Sequence, residues 1–124
     1  MNYQLSVHFK GDHVEVVSSG EKSYDSAVRL WDETTKVCEE NACFKVLGIG
    51  NSTRAMPILH SVEHKKIFNE FNVTRNYKIA WVELNKDAVE SVRFLETYLL
   101  NRGLINGQLF NDVESARKWL LDDI

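Results

Sequence analysis

Two hydroxyls, an amide and a guanidinium stand in a row at Asn51, Ser52, Thr53 and Arg54, and two imidazoles follow at His60 and His64. The first group lies between an apolar run ending in Gly50 and a proline at position 57, where a strand would pass into a helix. Backbone N–H groups at a helix start lack partners. Hydroxyls there either cap those groups or, with Arg54, cradle a small anion. The second group is a metal candidate, because imidazoles one helical turn apart reach a single ion in zinc enzymes. The zinc-protease order needs glutamate directly after the first histidine, whereas position 61 is serine and Glu63 comes later. Only His8 and His13 remain as further imidazoles, and a plain polar helix face, half covered by Ile67 and Phe71, accounts for the pair better than a metal site does.

A third group is apolar. Met56, Ile58, Leu59, Val62, Ile67, Phe68 and Phe71 give this segment more apolar side chains than one helix face needs. At roughly 100° per residue, Ile58, Leu59 and Val62 share one face while Ile67 and Phe71 point the opposite way. The helix therefore either breaks near Glu63-His64-Lys65-Lys66 or is enclosed on several sides. The surplus reads as core packing, as a homodimer contact, or as the wall of a concave site for a small apolar, lipid-like ligand. No glycine-rich phosphate loop, nucleophile elbow or Cys–His spacing occurs, so no catalytic residue is assigned and no cofactor is expected.

The elements that must position these groups are legible from periodicity. Tyr3, Leu5, Val7 and Phe9 alternate with polar residues, Gly11-Asp12 supplies a two-residue turn needing positive φ at its first position, and Val14 and Val16 return on the inner face. Ser23 caps a helix with Ala27, Leu30, Trp31, Val37 and Cys38 inward, ended by Asn41. Val46-Leu47-Gly48-Ile49 is a short apolar run, the pattern of a strand covered on both faces. A second such run, KIAWVEL at 78–84, puts Ala80, Val82 and Leu84 on one face and Ile79 and Trp81 on the other. Asn85 or Asp87 then caps a helix carrying Ala88, Val92, Leu95 and Leu99, thickened by Val89 and Leu100 and stopped by Gly103. Gln108-Leu109-Phe110 forms a last strand, and Asn111-Asp112-Val113-Glu114 reads as a capping box opening a final helix with Val113, Ala116, Trp119 and Leu120 inward.

The order is ββαβαβαβα. Strands joined through helices run parallel, and the opening hairpin adds an antiparallel neighbour, so a single α/β domain with a mixed, mostly parallel five-stranded sheet and about four helices is expected over 1–124. A chain of this length buries one ordinary core without a metal or a disulfide. The net charge of −3, with both signs interspersed, carries no footprint for nucleic acid, and no apolar run approaches the roughly 18 residues of a membrane span. The N-terminus alternates as a strand does and lacks a basic leader, and Cys38 and Cys43 read as reduced thiols, which together suggest the cytoplasm.

The element order, KIAWVEL in fourth-strand position and the ending LFNDVESARKWL at 109–120 resemble the SpoIIAA-like, or STAS-related, bacterial proteins. Their last unit similarly has an aromatic strand end, an acidic cap, an alanine and a Trp-Leu pair. The resemblance implies a non-enzymatic regulatory module that binds a protein partner through residues 51–54 and the helix after them. Signalling members are switched by phosphorylation of a hydroxyl beside an acidic residue at that place. Here the hydroxyls are Ser52 and Thr53, and Gly50-Asn51 stands where the acid would be. A phosphate there would be favoured by the helix N-terminus. The more distant fold relation to CRAL-TRIO lipid carriers implies the alternative, a carrier or sensor of a small apolar ligand. Metal-dependent hydrolysis at His60 and His64 is a third reading.

Overall fold

The opening hairpin sets the edge of the sheet. Strand β1 (Gln4–Phe9) pairs antiparallel with β2 (Val14–Gly20). Gly11 takes φ +98°, a conformation strained for a residue with a β-carbon, and Lys10 N–H donates to the His13 carbonyl at 2.8 Å to close the turn. The computed structural model describes residues 3–53, 58–103 and 105–122, and the side chains of 58–61 fall outside the described set.

Helix α1 (Tyr24–Asn41) crosses from β2 to β3 (Lys45–Ser52), α2 (Ile58–Glu70) from β3 to β4 (Lys78–Glu83), and α3 (Val89–Asn101) from β4 to β5 (Asn106–Phe110). The five strands lie side by side in chain order, parallel from β2 onward. Each crossover steps the same way along the sheet, so a common right-handed sense places α1, α2 and α3 on one face. Helix α4 (Val113–Leu121) follows the last strand and covers the other face, over β3, β4 and β5.

Two cores result. Val14, Val16, Val46, Ile79, Leu30, Trp31, Ile67 and Phe68 are buried between the sheet and the three crossover helices. Leu47, Ala80 and Val82 meet Ala116 and Leu120 of α4 on the opposite side. Both faces of β3 are thus covered, as its unbroken apolar run predicts. The expected α/β architecture and element order are present in full.

Local differences have local reasons. Helix α2 runs unbroken through 63–66, and Val62 is 44% exposed, whereas Ile67 and Phe68 face the core. Neither the break nor the all-round enclosure is found among the described residues. In α1 the buried stripe is completed by Thr34 and Thr35, polar residues that periodicity in apolar types does not reveal. Thr35 donates its hydroxyl to the Trp31 carbonyl at 2.7 Å. Asp112, not Asn111, caps α4, accepting from Ser115 N–H at 2.7 Å. Asn85 caps a short 3₁₀ turn, Lys86–Ala88, that runs on into α3. Leu84 lies outside β4 and is exposed, as is Leu100 on α3.

Candidate functional site

Register decides where space is left. On the face that meets α1, α2 and α3, the first half of the sheet presents Val14, Val16, Val46 and Ile79. Two residues further along, the same face presents Ser18 and Gly20 on β2, and Gly48, Gly50 and Ser52 on β3. Alternate positions along a strand share a face, so this end of the sheet is floored by the smallest side chains available. Trp81, the register partner of Gly48, fills part of the gap. A β-carbon at Gly48 would overlap Cε3 and Cζ3 of the indole, and one at Gly50 would stand 3.3 Å from Trp81 Nε1 and 3.4 Å from Glu83 Oε1.

Beyond the Trp81 ring lies a partly open cavity of about 100 Å³. Its walls are Ala27, Leu30 and Trp31 from α1, Phe68 and His64 from α2, and Val92, Leu95 and Leu99 from α3. Ile79 and Trp81 of β4 and Gly107 and Leu109 of β5 form the floor. Aromatic rings pack edge to face along one wall, with Trp31 and Phe68 centroids 4.8 Å apart and Trp31 and Trp81 6.5 Å apart. A dry cavity of roughly 150 Å³ accepts benzene, so a single small ring or short acyl group is the matching size here.

Polar residues on the cavity lining include Tyr3, Lys22, Ser23 and Glu96. Ser23 is occupied as the α1 cap, accepting from Ser26 N–H at 3.1 Å. Glu96 accepts from Leu109 N–H at 2.7 Å on the last strand of the sheet. Burial pushes the Tyr3 phenol up from its ordinary range, against a hydrogen bond with Ser18. Lys22 stands out because its side chain is 21% exposed while its Nζ lies 3.7 Å from Glu83 Oε1 and 5.6 Å from the centre of the Trp81 ring. Burial holds its ammonium below the usual lysine range, and the Glu83 carboxylate opposes that shift.

Glu83 is fully buried and well supplied with donors. Ser52 N–H and Oγ–H donate to it at 3.0 and 2.9 Å, and Asn85 N–H at 3.1 Å. Asn85 Nδ2 in turn donates to the Ser52 carbonyl at 2.6 Å, which locks the ends of β3 and β4 together. Trp81 Nε1 is buried without a hydrogen-bond partner among the described residues.

The residues singled out by sequence are dispersed. Asn51 and Ser52 belong to strand β3, not to a loop, and Ser52 is buried with its hydroxyl committed to Glu83. Thr53 is exposed, and its N–H donates to the Gly20 carbonyl at 3.1 Å. Arg54 and Met56 lie outside the described residues, as do the side chains of Ile58, Leu59 and His60. Of the apolar group, Phe68 lines the cavity, Ile67 is core, Phe71 is half-buried and Val62 faces outward. His64 lines the cavity with its ring 6.2 Å from Phe68. Among the described residues no group of three or more His, Cys, Asp or Glu side chains is placed to hold a metal ion.

Sequence reasoning missed Lys22, Glu83 and Trp81 as site residues, and the glycines that seat the Trp81 ring. The signal was present: Gly48, Gly50 and Ser52 recur with a period of two in β3, which on a sheet with covered faces marks a close approach or a void. No helix among the described residues is long and apolar enough to cross a membrane. In comparisons with known proteins, no protein-family model matches the chain and no curated protein matches it.

Proposed function

We propose that the protein is a binding module for a small, largely apolar molecule, held in the cavity between the sheet and α1, α2 and α3. The observation that carries this reading is the apolar, partly open cavity itself, walled by Leu30, Trp31, Phe68 and Trp81 with Lys22 on its lining. Concave apolar sites with a few polar groups at the mouth are the usual form of small-molecule sites. This is the carrier or sensor reading that the SpoIIAA-like resemblance supplied as its alternative, and membership of that family remains part of the proposal. Two free cysteines among the described residues accord with a reducing cytoplasmic setting.

Benzyl alcohol serves as a probe of matching size. Its addition should change the fluorescence of Trp31 and Trp81, which line the cavity, in a saturable way. Ala27→Leu, which fills the wall from α1, should abolish the response while leaving the thermal midpoint within a few degrees. A response identical in the filled variant would reject the cavity as the site.

The partner-binding reading has one specific support. Thr53 and Leu84, both exposed, stand at the adjoining ends of β3 and β4, where Leu84 N–H donates to the Gly50 carbonyl at 2.7 Å. A protein that co-purifies at native expression should be lost with Leu84→Glu; retention of the partner by that variant removes this surface.

A further inference from the structure

We propose that Lys22 is a reactive amine, and that the cavity takes small apolar aldehydes which Lys22 binds covalently and reversibly as an imine. The inference rests on the cavity reading above and adds a chemistry to it.

Three features of the geometry converge. Lys22 lines a cavity whose other walls are mainly apolar and aromatic, so a carbonyl compound with an apolar tail would present its polar end to the amine. The side chain is reachable, at 21% exposed, and its Nζ lies 5.6 Å from the centre of the Trp81 ring. A carboxylate lies 3.7 Å off and is held in place by Ser52 and Asn85, so it does not swing away when the ammonium loses its charge. Desolvation favours the neutral amine, the nucleophilic form, and apolar burial is a recognised way of activating a lysine.

The step balances without an oxidant or a reductant. Glu83 takes one proton from the Lys22 ammonium, the freed nitrogen lone pair forms a C–N bond to the carbonyl carbon, and the carbonyl π pair moves to oxygen, to which Glu83 passes that proton. Glu83 accepts the proton that leaves nitrogen and returns it to the hydroxyl of the carbinolamine. The C–O bond then breaks, C=N forms, and one water leaves for each aldehyde bound. Hydration reverses every step, so the product is a loaded carrier and not a turnover product. The carboxylate beside the resulting iminium stabilises its charge.

The experiment uses the whole chain, benzaldehyde as probe and cyanoborohydride to reduce any imine to a stable benzylamine, with peptide mapping by mass spectrometry. Short exposure at pH 7 should place one benzyl group on Lys22 several-fold faster than on any other lysine, and benzyl alcohol in excess should protect Lys22 alone. Lys22→Met should lose that label while the other lysines keep their slower labelling. Labelling spread over the exposed lysines, with Lys22 no faster than the rest, overturns the inference. If benzyl alcohol still binds in that case the cavity reading stands, and if it does not bind, both fall.

Discussion

Ser52 and Glu83 face each other across the ends of β3 and β4, joined by two hydrogen bonds, from the serine N–H at 3.0 Å and from its hydroxyl at 2.9 Å. The pair is buried, and it holds in one place the carboxylate that stands beside Lys22. A hydroxyl engaged in this way is a fastener, and a phosphate on it would have to displace a buried carboxylate of the same sign.

Replacing Glu83 by glutamine should therefore cost roughly 1–3 kcal/mol, because an amide cannot accept from all of Ser52 and Asn85 and leaves a buried donor unmatched. Ser52→Ala removes the hydroxyl bond and keeps the backbone one, for a loss of about 1 kcal/mol. Urea unfolding of the two single variants and the double variant checks both. The double variant should lose less than the sum, since both changes strike one contact. Strict additivity would mean that the two residues do not act as a pair.

Gly48→Ala should destabilise by roughly 1–3 kcal/mol through overpacking, since the new methyl overlaps the ring of Trp81. The indole would leave its seat, so the fluorescence maximum should move as well. In a Trp81→Leu background the same alanine should cost much less. An unchanged cost there would show that the strain does not come from the ring.

Stability should fall on the alkaline side. Burial pushes the Cys38 thiol up from 9.0 to about 12 and the Tyr77 phenol up from 10.0 to about 12. Between the ordinary and the raised values the folded chain binds more protons than the unfolded one, so the unfolding free energy declines as pH rises from about 9 towards about 12. Lys22 is shifted downward and contributes the opposite slope below its ordinary value of 10.5, so the fall is steepest above that value. Thermal midpoints measured from pH 7 upward should drop through this window, and the slope should flatten in Cys38→Ala. A flat profile in the unmutated protein would contradict the burial of both groups.

Alternation in β1 and β2, the unbroken apolar runs of β3 and β4, and the cap and stop residues Ser23, Gly103 and Asp112 are local signals. They determined the five strands, the four helices and their order, because periodicity and capping act over a few residues of chain. The side of the sheet on which each crossover helix lies followed from handedness alone. The fate of the hydroxyls and of the apolar surplus after Pro57 was not local. Ser52 reads as a loop hydroxyl until β4 pairs with β3 and sets Glu83 against it. Val62 and Ile67 look equivalent by type, and only the packing of α2 between α1 and α3 turns one outward and buries the other.

The site itself was written in the sequence in a form that needs register to be read. Gly48 and Gly50 are unremarked members of an apolar run until strand pairing puts them under Trp81 and beside Gly20 and Ser18. The cavity exists only because three helices roof over Ile79, Trp81, Gly107 and Leu109, and Lys22 becomes a candidate nucleophile only when burial takes it out of water. Local sequence determined the elements because hydrogen bonding and periodicity are short-range. The tertiary structure decided the chemistry, because burial and the approach of charges depend on which elements meet.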